Sequence, residues 1–169
     1  MTRTRDVATQ GGLVLLNNTD FSAVASVSIS NIFDNTYIKY RILINVLSSS
    51  GNQTLSFRCR ENATDKTTGY FAGTFEVSYA AATAAIANNG GSAFLVTQNL
   101  GTNDMALSNL DIYRTATKCA FSGTGWNPQA SRANFMGGEQ TGMTNFTGFT
   151  IFPSNTGTIT GNIKVYGYK

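Results

Sequence analysis

Nine carboxylates and no histidine are what this chain of 169 residues offers to acid–base chemistry. The lack of histidine removes the commonest general base, the Ser-His and Cys-His nucleophile pairs, and most zinc and iron sites. Glycoside hydrolysis stays open, because two suitably placed carboxylates suffice for it. Glu61, Glu76, Glu139 and the six aspartates are the candidates. None forms a pair by spacing, and none sits in an apolar stretch that would lift one carboxyl's pKa above another's. Solvated or ion-paired surface carboxylates are the plain reading. No catalytic residue, metal site or cofactor is expected, and the chain reads as a non-enzyme.

Three other features could carry chemistry. Cys59 and Cys119 each stand at the parity of apolar neighbours in an alternating segment, Leu55 and Phe57 for the first and Phe121 for the second. Two buried free thiols are expected, with a bridge between two strands as the alternative, and two cysteines without histidine do not make a zinc site. The runs GTG at 123–125 and GGEQTG at 137–142 look like fragments of phosphate-binding loops. Neither has the lysine or the strand-to-helix setting such loops need, so these read as turn glycines. Trp126, the single tryptophan, falls in GTGWNPQ, which reads as a turn. A ring presented there can stack on the apolar face of a sugar while Asn127 and Gln129 hydrogen-bond its hydroxyls. The alternative is a plug for one end of the fold or a subunit contact.

The elements that must position these residues are strands. Charged residues are only 12% of the chain, against about 25% in an average soluble domain, and Asn, Thr, Ser and Gly supply the polarity instead. Such usage suits short strands joined by tight turns. Twelve basic and nine acidic residues leave a net charge of +3, with the basic ones dispersed, so nucleic acid is not an expected partner. No run approaches the ~20 apolar residues of a membrane span, and Leu13 to Leu16 is too short for a signal-peptide core. A soluble product made in the cytoplasm is expected, with no membrane partner.

Residues 1–22 read as an extended N-terminal arm, charged and polar at first, briefly apolar at LVLL, then turn-rich. Ordering backbone costs about 1–2 kcal/mol per residue, which four apolar residues cannot offset unless they meet a partner surface. Residues 23–169 read as one antiparallel β-sandwich. Tyr37 to Leu47 places Ile38, Tyr40, Ile42, Ile44 and Val46 on one face, with Leu43 and Leu47 on the other; being apolar on both sides, it predicts a central strand or one covered by a neighbouring subunit. Ser48 to Gln53 predicts a hairpin into Thr54 to Glu61, with Leu55, Phe57 and Cys59 facing inward. Ala80 to Ala87 admits two helical turns as an alternative to strand. Gly148 to Lys169 predicts a closing strand pair around a Pro/Ser/Asn/Gly turn, with Tyr166 and Tyr168 on the outward parity as subunit contacts.

The C-terminal GTITGNIKVYGYK resembles the ending of bacteriophage virion proteins, in which a Thr- and Gly-rich turn leads into a strand finishing in Tyr-Gly. Thr2 to Ala8 (TRTRDVA) resembles the opening segment of phage fibre and appendage proteins, and Tyr37 to Glu61 is similar to their opening strands. The resemblance implies a jelly-roll-like sandwich, displayed on a virion as a homotrimer. It implies an arm that docks on the major capsid protein or another virion component. Arg3, Arg5, Asp6, Val7, Leu13, Val14, Leu15 and Leu16 are the expected anchoring residues, and Leu43, Leu47, Tyr166 and Tyr168 the expected oligomer interface. The absence of a coiled-coil or triple-helical shaft favours a capsid decoration protein or head appendage. The alternative is a tail-fibre or receptor-binding module for a host polysaccharide, with Trp126, Asn127 and Gln129 as contacts.

Overall fold

The computed structural model describes residues 12–51, 53–78, 84–115 and 118–169, and among them there are strands and no helix. In chain order these are β1 (Leu13–Val24), β2 (Val27–Ile29), β3 (Lys39–Ser49), β4 (Gln53–Glu61), β5 (Thr64–Asp65), β6 (Tyr70–Ser78) and β7 (Ala84–Gly91). There follow β8 (Phe94–Leu100), β9 (Ala106–Arg114), β10 (Lys118–Asn127), β11 (Arg132–Thr141), β12 (Gly148–Pro153) and β13 (Ile159–Tyr168). An eight-stranded sheet runs β1-β13-β3-β9-β10-β11-β6-β7, and a five-stranded sheet runs β2-β12-β4-β5 with β8 also paired to β4. The ladders are antiparallel, and the two sheets face each other as the expected all-β sandwich.

Alternation builds the core. Tyr40, Ile42, Ile44 and Val46 point inward from β3, and Leu55, Phe57 and Cys59 point inward from β4, all at 0–1% exposure. Full burial of each large apolar side chain contributes about 1.5–3 kcal/mol. Aromatic rings fill the space between the layers: Phe57 stacks on Phe149 within the small sheet at 5.1 Å, while Tyr70 meets Phe94 edge-on at 4.7 Å and Phe94 reaches Phe121 across the sandwich.

Two expected pairings are corrected. β3 and β4 do not form a hairpin: β3 lies in the large sheet between β13 and β9, while β4 lies in the small sheet against β12. Ser49 Oγ donates to Gly101 O at 2.6 Å, and Gly51 N–H donates to Thr102 Oγ1, holding the link that crosses between layers. β12 and β13 separate in the same way, one into each sheet. Both faces of a two-layer core need inward apolar parity, so alternation is equally compatible with a neighbour beside the strand and one across from it.

The reading of residues 1–22 as an arm outside the sandwich is corrected from Leu13 onward. β1 is the edge strand of the large sheet and pairs with β13 from Leu13 opposite Tyr168 to Val24 opposite Ile159. Val14 and Leu16 pack against the core and Phe21 is buried in it, so the ordering cost is met inside the domain. The helical alternative at Ala80 to Ala87 is also corrected where the chain is described, since Ala84 begins β7. The ladder to β6 outweighs alanine's helix propensity there.

Candidate functional site

The ladders hold β3, β9, β10, β11 and β6 in register, so their outward residues form rows across one face of the large sheet. Asn45, Leu107, Trp126, Ala133 and Val77 make one row; Leu43, Asn109, Thr124, Phe135 and Phe75 make the next. A third row runs Arg41, Asp111, Ser122, Gly137 and Gly73.

Over part of β6 and β11 the usual polarity of the two faces is reversed, although Tyr70 and Met136 still turn into the core. Phe75 and Phe135 lie opposite each other with 45% and 51% of their surface exposed, and Phe71 and Val77 are exposed beside them. The interior parity of the same strands carries Thr74, Glu76, Asn134 and Gln140, all buried. Glu76 is held there by an ion pair with Arg132. Phe75, Phe135 and Val77 thus form an apolar cluster on the outer face, with Phe71 two rows along the same strand.

Between β3 and β11 the face is hollowed. One groove of about 310 Å³ is lined by Leu43, Asn45, Leu107, Asn109, Thr124 and Trp126. A second of about 410 Å³ adjoins it and shares Asn109 and Thr124, extending to Asp111, Ser122 and Phe135. Burial alone would raise the Asp111 carboxyl, but its partners outweigh that and hold it below the usual carboxylate range. Arg41 donates to both carboxylate oxygens at 2.9 and 3.0 Å, Lys39 lies 3.1 Å away, and the Tyr168 hydroxyl donates at 3.2 Å. The acidic charge at that end of the groove is therefore neutralised.

The structure brings several sequence-predicted residues together. Leu43 and Trp126 line the same groove. Tyr166 and Tyr168 face outward on β13 opposite Leu15 and Leu13, and Tyr168 also covers Lys39 with its ring. Leu47 is 59% exposed beside the register shift between β3 and β13. Of the expected anchoring residues, Leu13 and Leu15 point to solvent while Val14 and Leu16 turn inward. Arg3, Arg5, Asp6 and Val7 lie outside the described residues.

The expected glycan contacts need correction. Trp126 lies within β10, not in a turn, and is 42% exposed. Asn127, one residue on, points to the opposite side; it is fully buried and its Oδ1 accepts from Ala130 N–H at 3.1 Å. Gln129 Oε1 accepts from Met105 N–H. Strand parity separates Asn127 from Trp126, and the amides beside the indole face come from neighbouring strands. Gly123, Gly125, Gly137 and Gly138 are likewise strand residues and not turn glycines, whereas Gly142 does turn the chain, with φ +83°.

The glutamates are all ion-paired: Glu61 with Lys66 at 2.5 Å, Glu139 with Lys118 at 3.0 Å, and Glu76 with Arg132. Cys59 and Cys119 are free and buried, and burial first, then the neighbouring Cys119, pushes the Cys59 thiol well above its usual range. Among the described residues no group of three or more His, Cys, Asp or Glu side chains could hold a metal ion. No protein-family model matches this chain, and no curated protein sequence matches it. Sequence reasoning missed Leu107, Phe135, Phe75, Asn45 and Asn109. The signal was the parity of β6, where Phe71, Phe75 and Val77 share one face and Thr74 and Glu76 the other.

Proposed function

We propose that this chain is a structural protein of a bacteriophage virion, a decoration or appendage sandwich that assembles with copies of itself and docks on the particle through its N-terminal region. The observation that supports it best is the reversed polarity of β6 and β11, which leaves Phe71, Phe75, Val77 and Phe135 on an outer face. These side chains are about half buried already, so covering each one would recover about half of the ~1.5–3 kcal/mol of full burial, which a subunit contact supplies. β1 favours the docking role: it is an edge strand with Leu13 and Leu15 exposed, at the point where residues 1–12 lead into the sheet. The virion setting comes from the resemblance of the two terminal segments.

Sedimentation of the native protein and of Phe75→Asp tests the assembly. The native protein is expected to sediment as a trimer, and the variant as a monomer with an unchanged far-ultraviolet spectrum. Deleting residues 1–12 leaves β1 whole and is expected to abolish attachment to particles lacking the protein. A monomeric native protein would refute self-assembly, and a truncated protein that still decorates particles would refute the docking role.

A further inference from the structure

We infer that the groove over β3, β9 and β10 binds a neutral glycan chain, with Trp126 as the stacking platform and Asn45, Asn109 and Thr124 as the hydrogen-bonding groups. This goes beyond the assembly reading and does not depend on it, since the groove is displaced toward β3 from the exposed side chains of β6.

The wall and floor have the composition a sugar requires. The indole of Trp126 stands in register with Leu107, and Leu43 lies one row over, so the apolar C–H face of a pyranose meets apolar surface. Asn45, Asn109 and Thr124 line the same groove and supply carboxamides and a hydroxyl for sugar hydroxyls. The Oδ1 of Asn109 is buried without a hydrogen-bond donor among the described residues, which a ligand hydroxyl can supply after a small rotation of the amide. Among the described residues no ionised side chain lines this groove. Beside the adjoining hollow, Asp111 is paired with both Arg41 and Lys39, which leaves one positive charge in excess at that far end. In the groove beside Trp126 itself, phosphate, acidic peptide and nucleic acid therefore find no counter-charge.

An extended peptide is disfavoured for a different reason. β3, β9 and β10 each have a ladder on both sides, so their backbone groups are engaged and no edge is open to strand addition. The second hollow shares Asn109 and Thr124 with the first, which gives a ligand of more than one sugar a continuous path from Trp126 toward Gly123 and Ser122.

Because Trp126 is the only tryptophan, its emission reports the groove directly. The native protein is titrated with cello-, malto-, xylo- and chito-oligosaccharides and with dextran, and binding is repeated by calorimetry with Asn109→Ala and Trp126→Ala. A saturable change in emission with at least one glycan is expected, weakened about tenfold in Asn109→Ala by loss of one ligand hydrogen bond, and abolished in the calorimetry of Trp126→Ala. No saturable response to any member of the panel overturns the inference. So does an emission change that follows protein concentration and ignores sugar, which would assign the groove to a contact between copies while leaving the assembly reading intact. Equal affinity of Trp126→Ala, with its fold confirmed by circular dichroism, also overturns it.

Discussion

Gly137 and Gly138 are adjacent in β11, yet adding one methyl group to each should have opposite effects. A Cβ on Gly137 would point outward and meet only Phe121 O, at 3.7 Å. A Cβ on Gly138 would point inward to within 2.3 Å of Phe71 O, 2.7 Å of Ala72 Cα and 2.8 Å of Ala72 Cβ, two of them backbone atoms of the neighbouring strand. Relief there requires β6 and β11 to part, against a ladder that runs from Arg132 opposite Ser78 to Gln140 opposite Tyr70. Replacing glycine by alanine inside a strand is worth about 0.5–1 kcal/mol where space allows, and overpacking a filled site costs about 1–3 kcal/mol. Gly137→Ala and Gly138→Ala should therefore differ by about 1.5–4 kcal/mol. Urea unfolding followed by circular dichroism reads this as midpoints separated by about 1–2 M at an ordinary denaturant slope for a domain of this size. Gly138→Ala as stable as the native protein, or both variants shifting together, would refute the close approach of β6 and β11.

Glu61 closes the loop before β12: its Oε1 accepts from Thr144 N–H, Thr144 Oγ1 and Asn145 N–H at 2.6–2.8 Å. The Lys66 ammonium first, then these donors, lower its carboxyl from 4.5 to about 2, so this stability is present above pH 4.5 and lost as pH falls toward about 2. Glu61→Gln should cost about 1–2 kcal/mol at neutral pH, after allowance for solvent screening, and only a small fraction of that at pH 2; a pH-independent difference in urea unfolding would contradict it. The Cys59 and Cys119 thiols should react with a thiol reagent only as fast as the protein unfolds, and labelling that outpaces unfolding would show that the core opens locally.

Strands were legible because alternation is a local property, and β4 shows it at full strength: Leu55, Phe57 and Cys59 inward, Ser56, Arg58 and Arg60 outward. Which strands pair was not, because parity fixes a face and says nothing of the neighbour. Ser48 to Gln53 has the composition of a hairpin turn, but the buried side chains on either side of it enter the core from opposite layers. β1 was hidden for another reason. Its apolar run is short, and what orders it is a ladder to β13 that lies at the far end of the chain. The groove was half visible: Trp126 could be picked out by its rarity, whereas Asn45 and Asn109 join it only through the register of three strands. On β6, a rule that turns apolar residues inward chooses the wrong face, since Thr74 and Glu76 occupy the interior.

The position of β13 between β1 and β3 also dictates when the large sheet can form. β9, β10 and β11 are consecutive neighbours and can pair as soon as they leave the ribosome, but β1 has to wait for a partner 144 residues away, as between Asn18 and Asn162. Until then β1 and the near side of β3 stay unsatisfied, which makes folding slow and exposes nascent chains to aggregation. Truncations that remove β13 should therefore strand β1 as well, and expression should respond more sharply to changes in Ile159–Tyr168 than to comparable changes in the β9–β11 meander.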